Sequence, residues 1–91
     1  MRTFVIELEI PGVGAFAPEQ LSQAAATSNA ALSKIGAQDI QWVHSYVTDD
    51  RTYCIYLAAD EAAIRRHAEL SGFPASRIAE VRSRIDPTTA G

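Results

Sequence analysis

Cysteine is all but missing from this chain. Cys54 is alone among 91 residues, so no intramolecular disulfide can form, and zinc-type cysteine spacing is absent. A lone thiol fits a reducing cytoplasm, which is the expected compartment. Excess positive charge is missing too: eight Lys and Arg face eleven Asp and Glu, for a net charge of -3 and a pI near 5.2. The basic residues are scattered, which argues against a nucleic-acid or anionic-membrane partner, since phosphate binding needs clustered cations. No apolar run is long enough to span a bilayer. Met1-Arg2-Thr3 leads directly into an alternating strand, so no signal peptide is expected. Pro11-Gly12-Val13-Gly14 lacks the third glycine and the Lys-Ser/Thr ending of a phosphate loop. No triad or catalytic carboxylate pair can be defended from spacing.

What is present is enough for one globular domain over residues 1–91, with a hydrophobic fraction of 47%. Thr3 to Ile10 alternates, with Phe4, Ile6, Leu8 and Ile10 on one face and Val5, Glu7 and Glu9 on the other. Pro18 suits a helix first turn, Glu19 suits its dipole, and Gly36 suits its C-terminus. Between them Leu21, Ala24, Ala25, Ser28, Leu32 and Ile35 recur at helical spacing. The alanines predict a smooth helix able to lie close to a sheet. From Ile40 to Thr48 the period returns to two, and Asp49-Asp50 forms the turn of a hairpin with Tyr53 to Leu57. With a loop of two or four residues, Ser45 pairs opposite Cys54, His44 opposite Ile55 and Val43 opposite Tyr56.

Asp60 suits the N-cap of a second helix, which Gly72 ends. Ile78 to Ile85 alternates once more, and residues 86–91 read as a frayed tail. The order β-α-β-β-α-β predicts an α+β, ferredoxin-like domain: a four-stranded antiparallel sheet with two helices on one face.

The other face then has no cover. The alternation assigns Glu7, Glu9, Trp42, His44, Tyr46, Tyr53, Ile55, Leu57, Glu80 and Arg82 to it. Phe4, Ile6, Leu8, Val43, Val47, Cys54, Tyr56, Val81 and Ile85 fall under the helices. A bare face with this aromatic content predicts a two-fold homodimer packed sheet to sheet.

Two groups of side chains could carry chemistry. His67 falls within the apolar arc of the second helix, where its ring nitrogens need partners. Cys54, Ser45 or Tyr56 beneath it could supply them. Either His67 is a satisfied core histidine, or it shares a functional pocket with the only thiol. The functional branch makes Cys54 a nucleophile or His67 a base, in a small-molecule binder or an enzyme. The second group is His44 with Glu7 and Glu9 on the uncovered face. Imidazole with carboxylates suits nickel or zinc, and a two-fold partner would double the donors.

The run Trp42-Val43-His44-Ser45-Tyr46-Val47 to Asp50, then Tyr53-Cys54-Ile55-Tyr56, resembles a family of small bacterial proteins. So do Ile64-Arg65-Arg66-His67-Ala68, Gly72-Phe73-Pro74-Ala75 and Ile85-Asp86-Pro87. One member of that family of unknown function is described as nickel-binding. The resemblance covers nearly the whole chain. It implies a ferredoxin-like dimer and, for at least one relative, nickel binding. Ser45, Tyr46, Asp50, Cys54 and His67 match the family's motif positions, and His44 is not among them. The candidate metal donors are therefore His44, His67, Cys54, Glu7 and Glu9, with Ni2+ as the metal. The catalytic candidates are Cys54, His67 and Tyr46.

Overall fold

The computed structural model describes all of residues 1–91. Six main elements follow one another: β1 (Arg2–Glu9), α1 (Pro18–Ile35), β2 (Ile40–Val47), β3 (Arg51–Ala58), α2 (Glu61–Ser71) and β4 (Arg77–Glu80). The four strands form one antiparallel sheet in the order β2-β3-β1-β4. Together with two helices over one face, this is the ferredoxin-like arrangement that the alternation predicts. No helix is long and apolar enough to cross a membrane.

The helix ends follow from local chemistry. Gln20 Oε1 accepts a hydrogen bond from the Ala17 amide ahead of α1, and Pro18 at N1 gives up no needed donor. Asp60 caps α2 by accepting from the Ala63 amide at 3.0 Å. Gly72 ends α2 at φ 77°, a conformation that favours glycine. The last residues hold more structure than a frayed tail: Pro87–Ala90 form a 3-10 turn, and Asp86 accepts from the Thr88 amide at 2.9 Å.

The core sits between sheet and helices at one end of the domain. Phe4, Ile6, Ile40, Cys54, Tyr56, Ala58 and Ile64 pack together, with Leu32 and Ile35 of α1 and Ala63 of α2 against them. Both helices therefore close on the sheet at the C-terminal end of α1 and the N-terminal end of α2.

Strand register corrects two expectations. The hairpin loop is two residues long, with Thr48 N–H donating to Arg51 O at 2.9 Å. Ser45 faces Cys54 and His44 faces Ile55, as the turn parity requires. Beyond them the register shifts between Trp42 and His44, and Trp42, not Val43, lies opposite Tyr56. Val43 is the extra residue of a β-bulge. The bulge carries Trp42 off the uncovered face and under the helices, where it packs against the core. The gain is burial of the largest side chain in the chain.

The second correction concerns β4. It is short, and it pairs Ile78 with Ile6 and Glu80 with Phe4, so Ile78 and Glu80 share the helix side. Val81 and Ile85 do not belong there. Val81 N–H bonds to Thr3 O on the parity of the uncovered face, and Ile85 is 75% exposed beyond the strand. Ile78 is the better filler of the core-side position, and the Arg2 guanidinium donates to the Glu80 carboxylate at 3.2 Å at the sheet's edge.

Candidate functional site

At the other end of the domain the helices stand off the sheet. The N-terminal half of α1 presents Leu21, Ala24 and Ala25, and the C-terminal half of α2 presents Ala68 and Ser71. Small side chains here do not draw the helix down onto the strands, as the alanine pattern suggests. They leave a cavity of about 500 Å³, lined by 24 residues of which 16 are hydrophobic. Its rim reaches the exposed Pro11, Leu21 and Pro74.

The polar floor of the cavity joins α1, α2 and β3. His67 is only 7% exposed. Its Nε2 lies 3.1 Å from Ser28 Oγ and 3.4 Å from the Ser28 carbonyl oxygen. The carbonyl can only accept, and on that contact we assign the proton to Nε2, which leaves Nδ1 of the neutral ring as an acceptor. Ser28 Oγ also lies 3.5 Å from the Tyr56 hydroxyl. Burial pushes the Tyr56 phenol up to about 12, against the opposing effect of Ser28. Burial likewise holds His67 below its ordinary value, partly offset by the Ser28 carbonyl.

An aromatic wall extends from this floor. Tyr56 and His67 rings are 5.3 Å apart, and Trp42 stacks on Tyr56 at 6.5 Å and 16°. The Trp42 indole N–H donates to Ser45 Oγ at 2.9 Å. That bond exists because the bulge at Val43 puts residues three apart on one side of the sheet.

The sequence candidates divide between two faces. Cys54, His67 and Ser45 all line the cavity, so the thiol and the helix-borne imidazole do share one enclosure. They are not hydrogen-bonded to each other. The Cys54 thiol contacts Thr52 Oγ1 at 3.6 Å, and His67 turns to Ser28. Tyr46 lies on the opposite face, 60% exposed, with its ring 5.0 Å from His44. No single site therefore gathers Cys54, His67 and Tyr46. His44, Glu7 and Glu9 also lie on that uncovered face, beside half-buried Val5, Tyr53, Ile55 and Leu57. Glu7 and Glu9 contact Arg51 at 3.2 Å and 3.7 Å. No three His, Cys, Asp or Glu side chains converge on a metal position within one copy.

Ser28 is the residue that sequence reasoning missed. It sits among alanines and leucines at helical spacing, and its place on the apolar stripe of α1 is the signal that could have found it.

His67 makes the fold pH-sensitive on the acid side. Its folded-state value lies below the unfolded one, so the unfolded chain binds the proton first. Stability is complete above about pH 6.5 and declines as pH falls below it toward the depressed folded value. Urea midpoints at pH 7.5 and 5.5 should fall on acidification in the parent, and fall less in His67→Gln. Equal falls in both proteins would remove His67 as the cause.

The fold and site define a small ferredoxin-like domain with one helix-covered face, one bare face and a cavity at the open end of the helical layer. The family model for the nickel responsive protein SCO4226-like family matches residues 4–81, and the chain belongs to that family. It is similar in structure to SCO4226 from Streptomyces coelicolor A3(2), known from a crystal structure analysis. The TM-score is 0.75 at 21% identity, over 91% of this chain and 99% of that one. At that identity the likeness is one of fold. No curated protein matches the chain.

Proposed function

We propose that this protein handles or senses nickel as a two-fold dimer, with the metal held on the sheet face away from the helices. Its family is named for nickel response. The observation that carries the reading is His44. Its imidazole is exposed and makes no hydrogen bond, on the face that also bears Glu7 and Glu9. Imidazole with carboxylate is a donor set that suits divalent nickel.

One copy does not close a coordination shell. The register puts His44 level with Val5 across β3, so Glu7 on β1 is two inter-strand spacings and two residues away, about 12 Å. A second copy packed face to face about a two-fold axis would bring its own carboxylates toward His44 and cover Tyr53, Ile55 and Leu57. Metal and dimer are thus coupled. His67 and Cys54 are set aside as nickel donors. They lie under the helices, where no third His, Cys, Asp or Glu side chain converges with them. A reducing cytoplasm suits the single free thiol.

Titration of metal-free protein with NiCl2 by calorimetry, paired with sedimentation velocity, tests this. Saturable heat at micromolar protein and a nickel-dependent shift toward dimer are expected. His44→Ala should lose more than about tenfold in affinity, since even the outer-shell partners of a metal ligand are worth about 10–100-fold, and His67→Ala should not. No heat, or His44→Ala indistinguishable from the parent, would end the proposal.

A further inference from the structure

The cavity at the open end of the helical layer plays no part in the nickel reading. Natural interiors leave few voids larger than a water molecule. A space of about 500 Å³ falls instead in the size range of small-molecule sites. Its walls are apolar, and the aromatic wall of Trp42 and Tyr56 offers ring faces for stacking.

Charge narrows the ligand. No Lys or Arg lines the cavity, and Glu9, the one charged residue that touches it, has its carboxylate at Arg51 on the uncovered face. A carboxylate or phosphate would enter without a cation to meet it. Hydrogen bonding narrows it further. The Trp42 indole N–H is already given to Ser45, and His67 Nε2–H to Ser28. His67 Nδ1 has no partner in the protein and is not sealed from solvent. It is an acceptor waiting for a donor, on a side chain more than nine-tenths buried.

We propose that this cavity binds a neutral, largely apolar molecule carrying one hydroxyl donor, its hydrogen bond accepted by His67 Nδ1. The body lies along Trp42 and Tyr56, between Ala24, Ala25 and the sheet. The class is that of phenols and aromatic or aliphatic alcohols, not of fatty acids or phosphorylated metabolites.

Trp42 is the only tryptophan and a cavity wall, so its fluorescence reports occupancy. The probe is 2-naphthol at pH 7.5, with 2-methoxynaphthalene as the analogue that cannot donate and 2-naphthoate as the anionic one. Saturable quenching by 2-naphthol in the micromolar range is expected. The other two should bind about tenfold more weakly, the scale of one buried hydrogen bond. His67→Leu should erase the preference for 2-naphthol over 2-methoxynaphthalene. Ala25→Phe, which fills the space, should abolish quenching while keeping the parent's circular dichroism. The proposal is overturned by absent saturation up to millimolar 2-naphthol, by 2-naphthoate binding as tightly, or by Ala25→Phe retaining the site. No metal is needed, so the outcome is separate from that of the nickel titration.

Discussion

Phe4→Ala should bring this domain to the edge of unfolding. Phe4 is 1% exposed and lies at the centre of the sheet, with Tyr56 opposite on β3 and Glu80 opposite on β4. The Arg2 guanidinium stands 5.8 Å over its ring. Removing a buried phenyl costs about 3–5 kcal/mol, because the hole left behind collapses only partly. At about 0.05–0.15 kcal/mol per residue, a chain of this length holds roughly 5–14 kcal/mol in all. The loss is therefore about a fifth of total stability at the least and nearly all of it at the most, read as a lowered urea midpoint at unchanged slope. Leu70→Ala is the comparator: Leu70 is exposed, and its loss should stay within about 0.5 kcal/mol. Phe4 does not line the cavity, so the effect belongs to the core and not to the ligand site.

This division of the domain explains what the sequence could and could not reveal. Both helices, their caps and the strand order follow from periodicity and from Pro18, Asp60 and Gly72, which act locally. The Asp49-Asp50 turn sets the pairing of Ser45 with Cys54 and of His44 with Ile55, which is why the thiol and His67 could be put in one enclosure. The bulge at Val43 left no mark in the sequence. Ile40, Trp42, His44 and Tyr46 alternate without interruption, and only the advantage of burying the indole breaks the period. β4 was illegible in the same sense. Its parity is fixed by Ile78 meeting Ile6, a contact between residues 72 positions apart in the chain. The cavity was hidden for another reason. Alanine at 24, 25 and 68 is compatible with close helix–sheet packing and with a gap, and side-chain size alone does not choose. What decides is that Leu32, Ile35 and Ile64 fill the far end and act as a spacer.

Gly14→Ala should be the most damaging single-methyl change in the chain. Gly14 lies in a 3-10 turn, Val13–Ala15, that follows β1. Its backbone is not in the left-handed region, so glycine is required here for space. A Cβ would stand 2.7 Å from Asp49 Cα and 2.8 Å from Thr48 O, both backbone atoms that cannot rotate away. The contact laces the segment after β1 to the β2–β3 turn. Gly14 N–H donates to Asp49 O, Ile10 N–H to Asp50 O and Gly12 N–H to Asp50 Oδ1, each at 2.9 Å. Overpacking of this kind costs up to about 3 kcal/mol, and the three bonds would loosen with it. For a domain of this size about 3 kcal/mol corresponds to a fall in melting temperature of about 12–24 °C. Val13 and Phe16 on the same segment line the cavity, so the methyl group also disturbs its rim. Ala15→Ser, at the exposed neighbouring position, should melt within about 2 °C of the parent. If Gly14→Ala does the same under thermal unfolding by circular dichroism, the hairpin turn does not rest on this segment in solution.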